Sequence, residues 1–250
     1  MKPVIGIAMG DPAGIGPEVI VKSLMNKSVY ERCNPIIVGD ANIIRKAVSL
    51  LKLPAIVYAV SKVSDAKFTF GIVDVFDLNN FNGDLVYGKV SAKAGAAAFE
   101  SVVKVIELAM GNQLDATVTA PINKEAIHLA GHHYSGHTEI YAHYTNTKKY
   151  AMLLVHENLR VIHVSTHVSL RQACDLVKKK RILEVVQLLF EACQKFNIVN
   201  PRIGIAGLNP HSSDNGLFGW EEEKEIIPAI AEAKKMGFNV EGPVPADTMF

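Results

Sequence analysis

The 250-residue sequence has few of the residues that mark disulfide-rich or nucleic-acid-binding proteins. It contains three cysteines and one tryptophan, and its formal net charge is only +1. Cys33, Cys174 and Cys193 are widely spaced among apolar neighbours, so we expect reduced structural thiols rather than disulfides or nucleophiles. The nearly balanced charge predicts no basic face, which argues against a nucleic-acid partner.

Long apolar runs are also lacking. The apolar stretches are short and interrupted, so we expect no segment that spans a bilayer and no membrane partner. The first residues lead directly into the strand-like PVIGIAM, without the basic region, apolar stretch and cleavage site of a secretory signal. We therefore expect a cytoplasmic globular protein.

Short β-rich runs instead alternate with longer helical patterns along the chain. Strands are predicted at residues 4–8, 35–38, 56–59, 72–76, 116–119, 152–155, 160–164 and 202–206. Helices are predicted at residues 17–26, 41–51, 92–110, 181–195 and 221–236. Several strands are apolar on successive residues, which is typical of strands covered on both faces. The pattern predicts the α/β class, as an α/β/α sandwich with a mainly parallel sheet.

A polar stretch at residues 128–149 separates two groups of these units. We expect two α/β domains, at residues 1–135 and 136–250. Because active sites in open α/β sheets lie beyond the carboxyl ends of the strands, the residues that follow each strand are the first candidates for chemistry.

The first predicted strand is followed by GDPAGIGPE at residues 10–18. Gly16 before Pro17 predicts a helix start, since proline at the first helical position leaves no amide hydrogen unpaired. A glycine-lined helix start can hold a phosphate on backbone amides. Val19 stands where the dinucleotide fingerprint requires a third small residue. A tight turn and an anion site both remain open.

Two further motifs contain candidate anion-binding residues. VTAPINK, at residues 118–124, ends a predicted buried strand and places Lys124 where it could meet a phosphate or carboxylate. GHTE, at residues 136–139, predicts a helix start with His137 and Thr138 in its first turn. The alternative is a surface histidine beside a capping threonine.

Two predicted strands are each followed by a histidine, and we expect both histidines to lie at the same edge of the sheet. His167 follows the strand at residues 160–164, and His211 follows the strand at residues 202–206. A neutral imidazole is a common ligand of transition metals, so the two predict a metal site, with hydrogen-bonded structural histidines as the alternative. Asp247, near the end of the chain, could ligate the metal, orient a ligand or relay a proton.

Taken together, the motifs closely resemble the 4-hydroxythreonine-4-phosphate dehydrogenase (PdxA) family. The resemblance rests on GDPAGIGPE, VTAPINKEAI, GHTE, THVSLR, GLNPH, GLFGWEE and GPVPADT, in this order. It implies a two-domain fold distantly related to isocitrate and isopropylmalate dehydrogenases, with the nucleotide on the side of the first domain. It also implies that His137 and Thr138 bind substrate, that His167 and His211 coordinate a divalent metal, and that the protein is a homodimer with active sites at the subunit interface.

The activity implied by the resemblance is the oxidation and decarboxylation of a four-carbon 4-phospho hydroxy acid. NAD or NADP would accept the hydride, and a divalent metal (Zn, Mn, Co, Ni or Mg) would stabilise charge on the substrate. Asp247 and Lys124 are the candidates for the catalytic base. The segments TAPINKEA and NGLFG favour a branch acting on D-threonate or D-erythronate 4-phosphate. The alternative substrate is 4-hydroxythreonine 4-phosphate, which belongs to pyridoxine biosynthesis.

The sequence departs from the family pattern after the PADT segment. Family members continue with a Tyr-His-Asp-Gln motif that holds a third metal histidine, so we expect this chain to lack the C-terminal part of the fold. The resulting ligand set is incomplete, since catalytic metal sites usually keep three protein ligands. We therefore expect the 250-residue chain alone to turn over substrate slowly or not at all. A non-catalytic phosphate-binding protein and an acyl-phosphate transferase on a related fold are the alternatives.

Overall fold

A computed structural model describes residues 2–214 and 216–249 of the chain. The chain divides into two compact units, Met1–Thr147 and Lys148–Phe250. This boundary lies later than the predicted boundary between residues 135 and 136. The reason is that Ile140, in the helix that begins within GHTE, is fully buried in a hydrophobic core of the first unit.

The first unit is built on one parallel sheet of five strands. The strands are β1 (Val4–Ala8), β2 (Asn34–Gly39), β3 (Ile56–Val60), β4 (Ile72–Asp77) and β5 (Ala116–Thr119). Their order across the sheet is β3-β4-β2-β1-β5, and every neighbouring pair is parallel. Strand β2 is buried along almost its whole length, as expected for a central strand with helices on both faces.

Helices cover the two faces of this sheet. They are α1 (Gly16–Ser23), α2 (Lys27–Arg32), α3 (Ala41–Leu50), α4 (Ala92–Met110), α5 (Lys124–Leu129) and α6 (His137–Tyr144). One core joins residues of α1 and α3 to β4, and a second joins residues of α4, α5 and α6 to β2. The α/β class and the mainly parallel sheet predicted from the sequence are therefore confirmed.

Gly95 allows α4 to lie directly against α5. A Cβ atom on Gly95 would overlap the carbonyl group of Ala126 and come within 2.6 Å of the amide nitrogen of Ile127. Both neighbours are backbone atoms, so no side-chain rotation can relieve the overlap. The absence of a side chain at Gly95 therefore sets the position of α5, which begins at Lys124.

Gly95→Ala is expected to destabilise the first unit by about 3 kcal/mol, near the upper end for overpacking. In an open helix the same change would stabilise by about 1 kcal/mol, because alanine is the better helix former. Gly14→Ala is the control, since its Cβ would meet nothing closer than 3.5 Å. Urea unfolding followed by circular dichroism measures both variants, and a Gly95→Ala variant at least as stable as wild type would contradict the packing.

The second unit contains two separate pairs of strands. β6 (Leu153–His156) and β7 (Leu159–Ile162) form an antiparallel hairpin, whereas β8 (Ile203–Ala206) and β9 (Val240–Val244) are parallel. The helices are α7 (Leu170–Leu176), α8 (Lys179–Lys195) and α9 (Ile227–Lys235). Residues of α8 and α9 form a core with β8 and β9. A cleft of about 640 Å³ is lined by residues of both β7 and β8.

The helix predicted at residues 221–236 has an irregular beginning. Residues Glu222–Ile226 form a π-helical turn, and α9 follows it with Pro228 in its first turn. Proline has no amide hydrogen to donate to the preceding turn, which disfavours a continuous α-helix at this point. The π-helical turn places the Glu222 side chain inside the unit, where it is fully buried.

Cys33 and Cys174 are half-buried, Cys193 is buried, and all three are free thiols. Within the described residues, no helix combines the length and the apolar character that crossing a bilayer requires.

Candidate active site

The glycine loop after β1 is closed by its own hydrogen bonds. The amide of Ala13 donates to Oδ1 of Asp11 at 2.8 Å, and the amide of Gly14 donates to the carbonyl of Asp11 at 3.1 Å. Burial raises the pKa of the Asp11 carboxyl above its ordinary value. Helix α1 begins at Gly16 with Pro17 in its first turn, as predicted. Because two of the loop's amides already have acceptors, the geometry favours the tight turn over the anion site.

Lys124 lies just beyond the carboxyl end of β5. It is the first residue of α5, and the side chain of the preceding Asn123 caps that helix by accepting a hydrogen bond from the amide of Ala126 at 3.0 Å. The Lys124 side chain is exposed. The cap and the close contact between α4 and α5 fix the backbone from which this cation extends.

His137 begins α6, as the GHTE motif predicted. The N-cap is Gly136, and no side chain among the described residues caps the helix, so Thr138 does not have the capping role that was its alternative. The His137 ring is only half-exposed. Its Nε2 atom is fully buried and has no hydrogen-bond partner in the described part of the chain. A buried imidazole nitrogen without a partner is unusual in folded proteins, which makes His137 a candidate for a functional role.

The surroundings of His137 favour the neutral form of its imidazole. Burial lowers the pKa of His137 below its ordinary value of 6.5, and the positive charge of Lys124 lowers this pKa further. The Cε atom of Lys124 and the Oε2 atom of Glu139 lie 3.9 Å and 3.6 Å from the position that a Cβ on Gly136 would take. The fold therefore brings together a cation, an imidazole and a carboxylate: the cation suits an anionic group of a substrate, and the imidazole and the carboxylate suit a hydroxyl group.

Glu139 is a residue of this cluster that the sequence analysis did not single out. Its Oε2 atom is buried without a hydrogen-bond partner among residues 2–214 and 216–249. It stands in the first turn of α6, where an acidic residue is favoured by the helix dipole whether or not it binds anything. The feature of the sequence that could have indicated Glu139 is its position in GHTE, directly after the candidate residues His137 and Thr138.

His167 follows β7 in the second unit and is exposed. Its backbone φ is 56°, a left-handed conformation that is uncommon for residues other than glycine and is concentrated at functional sites. Two residues later Ser169 starts α7 with a capping box that includes Gln172. The chain is thus held firmly on the C-terminal side of the histidine.

His211 follows β8 and is also exposed. Its Nδ1 atom lies 4.0 Å from Oδ2 of Asp214, and its ring packs at 5.2 Å from the ring of Phe218. The side chain of Asn209 accepts a hydrogen bond from the backbone amide of His211 at 2.9 Å. Asp247 follows β9 in an exposed turn.

The donor chemistry of these residues fits a transition metal, because imidazole nitrogen is a preferred ligand of zinc, cobalt and nickel. The number of donors does not fit a complete site. No three His, Cys, Asp or Glu side chains of the described residues come together in a group that could hold a metal ion. His167, His211 and Asp247 therefore do not by themselves form the three-ligand set typical of catalytic metals.

Comparison with known proteins assigns the chain to a family. The family model described as "Pyridoxal phosphate biosynthetic protein PdxA" matches residues 31–250. A protein of Oceanobacillus iheyensis named "Putative D-threonate 4-phosphate dehydrogenase" is 48% identical over 251 residues, covering 100% of this chain and 76% of its own length. The D-threonate 4-phosphate dehydrogenase of Cupriavidus necator is 44% identical, with 99% of this chain and 75% of the relative covered.

Solved structures agree with these relatives. The crystal structure of 4-hydroxythreonine-4-phosphate dehydrogenase from Klebsiella pneumoniae matches with a TM-score of 0.90 and 41% sequence identity. The match covers 100% of this chain and 76% of that one. The fold and the relatives together define an enzyme of the dehydrogenase class. The chain belongs to the PdxA family.

Proposed function

We propose that the protein catalyses the NAD(P)-dependent and divalent-metal-dependent oxidation and decarboxylation of a four-carbon 4-phospho hydroxy acid. The observation that carries the proposal is the buried, unpartnered Nε2 of His137 beside the cation of Lys124. Such a pair suits a substrate that has both a hydroxyl group and negative charge. The relatives named as dehydrogenases of phosphorylated acids support the same reaction class.

In the first unit, we assign substrate binding to His137 and Thr138. The neutral imidazole and the threonine hydroxyl can hydrogen-bond the substrate, while Lys124 neutralises a phosphate or carboxylate. The alternative role for Lys124 is that of the catalytic group that takes the hydroxyl proton, which requires the neutral amine in place of the charged ammonium. The nucleotide is assigned to this unit from the family resemblance.

In the second unit, we assign metal binding to His167 and His211. A divalent metal, when bound, would stabilise negative charge on the substrate oxygen during oxidation and decarboxylation. Asp247 is the second candidate for the catalytic base, because an exposed carboxylate can accept a proton and release it to water. A nicotinamide, when bound, would supply the redox chemistry by accepting the hydride from the substrate carbon.

We propose D-threonate 4-phosphate as the first substrate to test. Relatives at 44–48% identity have that compound in their names. The D-erythronate ester is its stereochemical alternative, and 4-hydroxythreonine 4-phosphate, the compound in the name of the Klebsiella pneumoniae enzyme, is the third substrate. We further propose a cytoplasmic homodimer. The exposed Leu217, Phe218 and Trp220 would be available for a subunit contact.

The test is an assay of nicotinamide reduction and carbon dioxide release with the three phosphorylated acids. It is run on this chain and on a chimera that adds the part of the Cupriavidus necator enzyme that the chain does not cover. The proposal predicts turnover by the chimera with NAD or NADP and a divalent metal, and its loss with a chelator. Absence of cofactor reduction with every acid, in a folded chimera, would overturn the proposal.

A non-catalytic phosphate-binding protein is the second candidate. The observation in its favour is that the described residues form no group of three metal ligands. This candidate predicts that the chain binds a phosphorylated acid without binding a metal. The metal titration described in the Discussion separates the two.

A further inference from the structure

A fully buried carboxylate lies under the loop that carries His211. Glu222 has no exposed surface. Its Oε1 atom accepts a hydrogen bond from the backbone amide of Leu208 at 2.7 Å, while Oε2 is buried without a partner in the described residues. Burying a carboxylate is costly unless several partners compensate for the lost water. The single hydrogen bond from Leu208 compensates for only a small part of the cost of removing the Glu222 carboxyl group from water. Packing alone therefore does not account for an acidic residue at this position.

The backbone around Glu222 is also unusual. The residue begins the π-helical turn, in which the amide of Ile227 donates to the carbonyl of Glu222. Single π-helical turns are rare and frequently occur at functional sites. The turn belongs to the core of the second unit through Ile226, which is 3% exposed. Glu222 is therefore attached to a rigid part of the unit.

Leu208, whose amide donates to Glu222, belongs to the loop that carries His211. This loop folds back on the end of β8. The amide of Gly207 donates to the carbonyl of Val244 at 2.8 Å, which continues the pairing of β8 with β9. A Cβ on Gly207 would overlap the side-chain oxygen of Ser212 and lie 3.1 Å from its Cα. The loop thus returns to its own starting point immediately after His211.

The returning part of the loop has a strained backbone. Ser212, Ser213 and Asp214 have φ values of 47°, 67° and 42°, a left-handed conformation that residues other than glycine adopt only when their surroundings hold them. The Asn209 side chain is one restraint, since its oxygen accepts hydrogen bonds from the amides of His211 at 2.9 Å and Ser213 at 3.4 Å. Glu222 is the restraint on the adjacent Leu208.

We propose that Glu222 is a positioning residue that fixes the His211 loop. Its carboxylate holds the amide of Leu208 at the point where the chain leaves β8, and the Asn209 turn then sets the direction of His211. Without this acceptor, the Leu208 amide would be free to turn to water, and the strained segment after His211 would relax. The inference rests on the proposed function only in taking His211 as a residue of the site.

The test compares Glu222→Met, which removes the acceptor, with Glu222→Gln, which keeps a carbonyl oxygen for the Leu208 amide. Glu223→Met is the matched control, because Glu223 is the exposed neighbour. Binding of Co²⁺ is measured by titration, and the Leu208 and His211 amides by NMR and hydrogen exchange. We expect Glu222→Met to weaken Co²⁺ binding about 10- to 100-fold, the range for partners that orient metal ligands, and to shift the His211 resonances. Glu222→Gln and Glu223→Met should stay near wild type.

Unchanged His211 resonances in a folded Glu222→Met variant would overturn the proposal. If that variant does not fold, hydrogen exchange of the Leu208 amide tests the proposal. Protection of this amide in both wild type and Glu222→Gln supports the proposal, and its rapid exchange in wild type overturns it. If the wild-type chain binds no Co²⁺, the proposed metal site fails. The Leu208 and His211 resonances then still decide the role of Glu222.

Discussion

Replacing His211 with alanine should lower the affinity of the chain for Zn²⁺ or Co²⁺ by at least about 100-fold. Partners that merely orient a metal ligand cost 10- to 100-fold when they are lost, and His211 is proposed to contact the ion directly. His167→Ala should have an effect of similar size. Because both imidazoles are proposed to bind one ion, the wild-type chain should take up one metal per chain and each variant none.

The double variant distinguishes between two models: one metal ion bound by both histidines, and a separate ion bound by each histidine. Changes at residues that act on one site are not additive, so the loss of metal affinity in His167→Ala/His211→Ala should be smaller than the sum of the losses in the two single variants. Two independent ions would leave one metal per chain in each single variant, which would contradict the assignment. His156→Ala is the control, because His156 is an exposed histidine of the same unit outside the proposed ligand set.

Lys124→Met should weaken binding of a 4-phospho hydroxy acid by about one to two orders of magnitude. A hydrogen bond to a charged group contributes about 1.5–3 kcal/mol, and methionine keeps the length of the chain without the charge. The same change should raise the pKa of His137, since the Lys124 cation is one of two causes that lower it. Burial, the larger cause, remains, so the pKa should stay below 6.5.

Calorimetry measures the affinity, and an NMR titration of the His137 ring measures the pKa. The two readouts belong together, because a side chain close enough to hold the anion beside His137 must also act on the imidazole. Lys46→Met is the control, since Lys46 is exposed on α3. Unchanged affinity and an unchanged His137 pKa in Lys124→Met would remove Lys124 from the site.

The long and regular elements of the fold could be predicted from the sequence. Helix α4 matches its predicted bounds because it has five turns of periodicity, the N-cap Ser91 and the final Gly111. Strands β1 and β5 also match their predicted bounds. The short helices α2 and α5 were not predicted, since six residues are too few to establish a helical period.

Features that depend on tertiary packing could not be predicted. The burial of Nε2 of His137 and of Glu222 arises from neighbours that are distant in the sequence or from an irregular turn. Glu221, Glu222 and Glu223 are the first three residues of the helix predicted at residues 221–236, and nothing in the sequence distinguishes them from one another. The π-helical turn makes Glu222 the buried residue of the three and leaves Glu223 exposed.

The central claim is that His167 and His211 hold a metal and that His137 contacts a phosphorylated acid. The most direct measurement is anomalous diffraction from crystals of the protein grown with Zn²⁺ and D-threonate 4-phosphate. The account predicts one zinc peak about 2.0–2.1 Å from an imidazole nitrogen of each metal histidine, with the ligand hydrogen-bonded to Nε2 of His137. Zinc bound to other residues, or a ligand away from His137, would contradict the account.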